Sequence, residues 1–408
     1  MGKQLIYLFS ILSIWGCTTV KSVSFKTPVD TSSKPIISQL KKTYTLEGVS
    51  VYASNNFDGA RLNGFEKLND STALVIINPE NTPINNSAYY AFNTWSDTEK
   101  PFYFTFKYPK GYKHRYIPKL KKGSEWFILN EENIFKTDSL VTIKLNLTKK
   151  PTTVSAQEIQ SSTDVKNWYT KLIKGKSDIV KYEVFGKSPL GKDLPVLNIS
   201  NGDTKGKDVI ILLTRQHPPE VTGYYAFQSF MQTILDNSEL SKTFLSKYHV
   251  LAFPVMNPDG VDLGHWRHNS KGVDTNRDWS LYNQLEVKQT VKYIQKVLNK
   301  NSSKIVLGLD FHSTYKDVFY TNKIRKETTL PNFIEDWFAG LEENIPNYKV
   351  NEAAGNSTKP VSKGWFLYGH NAVGITYEIG DATPKKDIKL IGRVSAEQMM
   401  KTLTKTNY

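Results

Sequence analysis

Three apolar segments of this 408-residue chain each stop at a histidine or a carboxylate, and that pattern constrains the fold more than any other feature. Val209-Ile-Ile-Leu-Leu213 runs on to His217-Pro-Pro-Glu220, Leu307-Gly-Leu-Asp-Phe311 ends in His312-Ser313, and Ile375-Thr-Tyr377 ends in Glu378. A fourth segment, Val250-Leu-Ala-Phe-Pro-Val255, reads as another buried strand and precedes Asn257-Pro-Asp-Gly260. Near-continuous apolar runs suit strands covered on both faces. Helical spacing appears over 165–173, and Val287, Val291, Ile294 and Leu298 share one face of a helix over 285–298. Strands alternating with helices predict an α/β fold from 155 to 408, a mostly parallel mixed sheet flanked by helices. Open sheets of this kind put their ligands at the carboxyl ends of the strands, where these motifs fall.

The chemistry follows from the residue types. His at i and Glu at i+3 on one turn reach the same ion, and neutral imidazole with carboxylate suits zinc. Alone, His-x-x-Glu is common, and a single histidine is ordinarily a hydrogen-bonded structural residue. A hydrolytic zinc centre needs three protein ligands, an open position for water and a base beside it. His217, Glu220 and His312 supply the three, which leaves Glu378 free to be the base. Further polar residues follow in Trp266-Arg267 and in Gly272-Val-Asp-Thr-Asn-Arg277-Asp-Trp279.

Taken in order, these motifs resemble those of the zinc carboxypeptidases with a funnel-shaped α/β fold, the M14 metallopeptidases, over about residues 159–408. The resemblance implies one Zn2+ per chain on His217, Glu220 and His312, with Glu378 as general base. It implies Arg267, Asn276 and Arg277 as substrate contacts, and Asp274 as the acid that holds the first histidine ligand. The roles make chemical sense. Zinc lowers the pKa of bound water from about 15.7 to about 7, and Glu378 would take that proton and pass it to the leaving amine. Arg267 would face the charge that develops on the carbonyl oxygen. Arg277 offers a planar fork for a C-terminal carboxylate, which restricts cleavage to the last bond of a peptide. Two alternatives stay open: a zinc amidase or deacylase of the same fold acting on peptidoglycan stem peptides or acyl-amino acids, and a catalytically dead binding protein. The family also carries a substrate-covering tyrosine. Tyr368, ten residues before Glu378, is closer to the base than that pattern, and a packed aromatic after Trp365 and Phe366 is an equal reading. His114, His249, His265, His268 and His370 read as structural, with His265 and His268 flanking Arg267 as secondary candidates for substrate contact.

The remainder frames this centre. Lys3, an apolar run from Leu5 to Trp15, then Gly16-Cys17 read as a lipoprotein-type signal peptide over 1–17, too short to span a bilayer that needs about 20 residues. Cys17 is the sole cysteine, which excludes an intrachain disulfide and marks the expected lipid attachment site. The expectation is an exported, membrane-anchored protein of the cell envelope. Residues 18–43 read as a tether. From 44 to 150, runs such as Leu74-Val-Ile-Ile77, Phe102-Tyr-Phe-Thr-Phe106 and the alternating Leu140-Val-Thr-Ile-Lys-Leu-Asn-Leu147 predict a small all-β sandwich. Tyr89-Tyr-Ala-Phe92, His114-Arg-Tyr-Ile-Pro118 and Gly123-Ser-Glu-Trp126 resemble the β domain that precedes the catalytic domain in cytosolic-type carboxypeptidases and their bacterial relatives. The net charge of +14 is spread along the chain without a nucleic-acid module, so no nucleic-acid partner is expected; the expected substrate is a peptide with a free C-terminal carboxylate. A monomer is expected.

Overall fold

The computed structural model describes residues 20–137 and 140–405. The predicted signal peptide and Cys17 lie outside them. Among the described residues, no helix is long and apolar enough to cross a membrane.

Strands β1 (Thr43–Leu46), β2 (Val51–Ser54), β3 (Gly64–Asn69), β4 (Thr72–Ile76), β5 (Ala91–Ser96), β6 (Lys100–Lys107), β7 (Lys119–Lys122), β8 (Glu125–Ile128), β9 (Ile134–Lys136), β10 (Val141–Leu147) and β11 (Thr152–Ser155) build two sheets, ordered β1-β2-β5-β11-β7-β8 and β3-β4-β6-β10-β9. Alternation along β6 buries Phe102, Phe104 and Phe106, and Phe92 of β5 meets the last two with ring centroids 6.2 and 6.4 Å away. The expected sandwich is present, but its boundary at 150 is corrected. β11 pairs with both β5 and β7, so the sandwich runs through Ser155.

The tether expectation is also corrected over the described residues. Residues 20–42 form no regular element, yet their first part lies along the second domain and residues 37–42 bond to the sandwich. Val20, Val23 and Phe25 pack on its core, and buried Thr31 donates its hydroxyl to Asp278 Oδ1 (2.5 Å). Main-chain bonds Val23 N to Ser280 O (3.3 Å) and Lys34 N to Lys271 O (2.8 Å) complete the attachment. Isolated apolar residues without a period gave no helix or strand signal; Val20, Val23 and Phe25 pack nonetheless, while Ile37 and Leu40 stay exposed.

The second domain comprises α1 (Ser162–Ile173), β12 (Val180–Lys187), β13 (Asp193–Ile199), β14 (Asp208–Thr214), α2 (Val221–Ile234), α3 (Glu239–Lys247), β15 (Tyr248–Phe253), α4 (Pro258–Leu263), α5 (Leu285–Asn301), β16 (Ile305–Thr314), β17 (Val318–Thr321), α6 (Phe333–Asn344), β18 (Glu352–Ala354), α7 (Ser362–His370), β19 (Val373–Gly380) and α8 (Lys385–Lys405). Its sheet has the order β12-β13-β15-β14-β16-β19-β17-β18. The central strands β15, β14, β16 and β19 are parallel, and antiparallel pairs sit toward the edges. Ile210 and Leu212 of β14 face one core with α2 and α8; Val209, Ile211 and Leu213 face another with α5 and α7. Burial on both sides is why the run is uninterrupted.

Helix α2 crosses the end of β16 so closely that a Cβ at Gly223 would lie 2.0 Å from the His312 carbonyl oxygen. The Gly223 N–H donates to Ser313 Oγ at 2.9 Å. Backbone against backbone cannot be relieved by a rotamer change. Gly223→Ala is therefore expected to cost about 1–3 kcal/mol and to displace His312. Thermal melting and metal analysis of the purified variant check this; parental values for both would show that α2 can simply shift.

Candidate active site

The chain leaves β14 through Arg215, a non-glycine residue at φ 58°. This left-handed turn is held by its own side chain, whose Nη2 donates to Pro218 O (2.9 Å) and Gln160 O (3.0 Å). Pro218-Pro219 then stiffen the segment that carries His217 and Glu220 over the sheet edge. His312 lies near the end of β16, beside Glu378 of β19 in the parallel register.

These side chains converge. The possible ligand atoms of His217, Glu220 and His312 all lie within 4.8 Å of one another, and all three residues are buried. His217 Nδ1 is 2.8 Å from Glu220 Oε1, His312 Nδ1 is 2.5 Å from Glu220 Oε2, and the two Nδ1 atoms are 3.2 Å apart. On their far sides, His217 Nε2 meets Asp274 Oδ1 at 2.9 Å and His312 Nε2 meets Asp310 Oδ2 at 2.9 Å. Each acid fixes the proton on Nε2 and turns the Nδ1 lone pair inward. Two lone pairs and a carboxylate facing one point suit a cation, and two neutral imidazoles with one carboxylate are a zinc donor set with a position left open.

Electrostatics agree with that fit. Burial pushes the Glu220 pKa up, but His217 and His312 bring it well below the ordinary value. Burial lowers the His312 pKa, yet Asp310 and Glu220 raise it well above the usual histidine range, so this point favours positive charge. Glu378 is raised, first by burial and then by the Glu220 charge, and its Oε2 is buried without a hydrogen-bond partner. An orphaned carboxylate oxygen beside the ligand set is where a reacting water would be met.

Asp274 also organises the substrate side. Its Oδ2 accepts from Arg267 Nε at 2.6 Å and lies 3.8 Å from Arg277 Nη1. Arg277 Nη1 donates to Asn276 O (2.8 Å), while the side chain stays 30% exposed. Asn276 Oδ1 accepts from the Ser362 N–H at the start of α7, and its Nδ2 lies 3.3 Å from His312 Nε2. Asn257 caps α4 and donates to Gln216 O (3.1 Å), which ties the Asn257-Pro-Asp-Gly260 turn to the residue before His217.

The zinc carboxypeptidase model, Peptidase M14, matches residues 165–397. The chain belongs to this family. It is similar to cytosolic carboxypeptidase 3 of Bos taurus, 28% identical over 124 residues that cover 30% of this chain and 12% of that protein. It is also similar to cytosolic carboxypeptidase 2 of Homo sapiens, 26% identical over 144 residues, 34% of this chain and 16% of that protein. The matched stretches span 6% of the first and 33% of the second of the curated relatives. Over nearly its whole length the chain shares the fold of a metallo-carboxypeptidase from Burkholderia cenocepacia, with TM-score 0.72, 13% identity, and coverage of 87% of this chain and 99% of that one.

All eight residues singled out from the sequence are brought together around this candidate metal site, while Tyr368 is elsewhere. It sits on α7, 40% exposed, donates its hydroxyl to Ser357 O (3.0 Å) and packs edge-on against Phe25. His265 and His268 are buried and bonded to the His268 carbonyl (3.0 Å) and Asn81 Oδ1 (2.6 Å), which makes them structural.

Two acids were missed. Asp310 lies two residues before His312, hence on the same face of β16, and also accepts from Gln216 Nε2 (2.5 Å) and the Ser362 hydroxyl. An acid inside an apolar strand at i−2 from a ligand was a readable signal. Glu80 was not readable, because it lies in the loop after β4 of the other domain. Fully buried, it accepts three successive N–H groups: Trp266 on Oε2 (2.8 Å), Arg267 on Oε1 (3.0 Å) and His268 on Oε1 (2.7 Å). Burial opposes its charge, but His265 and Arg61 hold its pKa below the ordinary value. Trp266 is itself buried in the sandwich core, edge-on to Tyr112 with centroids 5.3 Å apart.

Metal content is the direct check. His312→Ala should abolish stoichiometric zinc binding, and Asp310→Asn should retain zinc with affinity weakened about 10- to 100-fold. Full zinc occupancy in His312→Ala under chelator competition would remove the ligand assignment.

Proposed function

We propose that this protein is a zinc-dependent carboxypeptidase that hydrolyses the last bond of peptides bearing a free C-terminal carboxylate, acting in the cell envelope. The reading rests above all on two arginines sharing Asp274 beside the His217–Glu220–His312 triad, their side chains 13% and 30% exposed. The envelope location draws on the leader-like sequence before Cys17.

When held by His217, Glu220 and His312, zinc supplies Lewis acidity and an acidified water. Arg277 grips the substrate carboxylate with the N–H groups that Asn276 O does not hold, and Asn276 lies alongside. Arg267, fixed by Asp274 and by the Glu80 cradle behind its main chain, faces the carbonyl oxygen where negative charge grows. Glu378 Oε2 takes the proton from the attacking water and returns it to the leaving amine. Burial and the Glu220 charge raise its pKa above the ordinary value, which makes the carboxylate a stronger base toward that water.

Mass spectrometry of products from a peptide mixture and from peptidoglycan fragments tests the reading. Products should be one residue shorter at the C-terminus, and C-terminally amidated copies should react ~30- to 1000-fold more slowly, the loss of about 2–4 kcal/mol of charged hydrogen bonding. Arg277→Ala should narrow that gap. Internal cleavage, or equal rates on free and amidated ends, would favour an amidase or deacylase instead.

Glu378→Gln should keep zinc while kcat falls at least ~10²-fold. Glu80→Gln keeps one acceptor oxygen, removes the charge and sets an NH2 against at least one of the three N–H groups, so kcat should fall about 10- to 100-fold with KM little changed. In an Arg267→Ala background the same change should cost nothing further, whereas equal losses in both backgrounds would mean that Glu80 serves general stability only.

A further inference from the structure

Hairpin β7–β8 of the sandwich faces the loops after β16 and β19 across a cavity of about 450 Å³. Its second-domain wall starts two residues after Glu220 with Thr222, three after His312 with Tyr315 and three after Glu378 with Asp381. Arg115, Tyr116 and Asp381 of its wall feel the Glu220 charge, so the cavity adjoins the metal-ligand cluster, while Asn276 and Arg277 come from the loop between α4 and α5. Trp126 separates it from a second hollow of about 650 Å³, and Glu158, Tyr225 and Lys385 line both, so the two form one groove leading away between the domains.

The wall carries unmet polar capacity. Arg115, with its side chain 7% exposed, donates from Nε to Asp381 Oδ2 (2.8 Å) and from Nη1 to Ser87 Oγ (3.0 Å), yet Nη2 is buried without a partner. Asp381 Oδ1 is likewise buried and unpaired. An orphan donor beside an orphan acceptor matches the C=O and N–H of a peptide main chain. The apolar surface is there too: Trp126 is half-buried, Tyr315 is 65% exposed, and the Arg115 guanidinium lies 4.6 Å from the Tyr315 ring centroid. Charge is unbalanced. Lys385 is paired with Glu158 (2.6 Å) and Arg115 with Asp381, but Lys119 donates only to the neutral Gln157 amide oxygen. Burial lowers the Lys119 pKa to about 8 against the opposing pull of Glu158 and Asp381, neither of which pairs with it directly.

We propose that this groove holds the substrate chain upstream of the scissile bond, as an extended peptide with an aromatic or apolar residue against Trp126 and Tyr315 and an acidic side chain at Lys119. The placement rests on the carboxypeptidase reading, in which the terminal carboxylate is held at Arg277, a residue that lines neither hollow of the groove.

The full chain is assayed on an N-acyl dipeptide, on a hexapeptide with Phe and Glu upstream of the same C-terminal pair, and on a copy with Gly and Gln there. The Phe/Glu hexapeptide should exceed the dipeptide in kcat/KM at least tenfold. Trp126→Ala should shrink that advantage about tenfold, mainly through KM, the scale of one truncated aromatic anchor. Lys119→Gln should shrink it for the Glu-containing hexapeptide and not for the Gly/Gln copy. An advantage unaltered by both variants overturns the proposal. A binding arm separates this from failure of the carboxypeptidase reading. Zinc-loaded Glu378→Gln protein is titrated with the fluorescein-labelled Phe/Glu hexapeptide, and Trp126→Ala added to that protein should raise Kd about tenfold even if no peptide is cleaved. Hexapeptide affinity no better than that of the labelled dipeptide would sink the groove assignment, even with C-terminal cleavage intact.

Discussion

Two imidazole nitrogens whose lone pairs face each other across 3.2 Å are the constraint on which the rest of this site depends. Neutral histidines would not be held so unless something positive stood between them, and Asp274 and Asp310 fix their outer protons so that neither can turn away. Those acids are buried in turn, and they are held by groups with other duties: Arg267 on Asp274, Gln216 and Ser362 on Asp310. Buried carboxylates of this density are costly without compensating charge. A dication satisfies ligand geometry and charge at once. The fold then supplies rigidity, with β14 and β16 adjacent and parallel and α2 packed onto the His312 backbone.

The sandwich is part of this machinery rather than an appendage. Glu80 fixes the main chain on either side of Arg267, Trp266 anchors the same loop in the sandwich core, and Arg115 reaches Asp381 just past Glu378. The N-terminal strap braces the other flank, because Thr31 bonds to Asp278, the residue after Arg277. Both arginines assigned to substrate are thus steadied by residues far away in sequence.

That distance explains how much was legible. Strand ends bearing His217, His312 and Glu378 were readable because apolar runs on a doubly covered sheet are continuous and stop where the site begins. Helix α5 was readable from its single apolar face, and the β6 and β10 strands from alternation. Asp310 was visible in principle as a lone acid in an apolar strand. Glu80 was not, since a loop carboxylate has no local pattern and its meaning comes from three N–H groups nearly two hundred residues later. The strap failed for the same reason: its order comes from partners, not from its own periodicity. Tyr368 shows the converse, an aromatic near the base in sequence that the α7 helix directs to Phe25.

The seating of Trp266 in the sandwich core makes the two domains one mechanical unit at the site. Tyr108 and Tyr112 close on its ring while Glu80 takes up the N–H groups around it, so parting the domains would bare that ring, strand the Glu80 carboxylate and release the main chain at Arg267 in a single event.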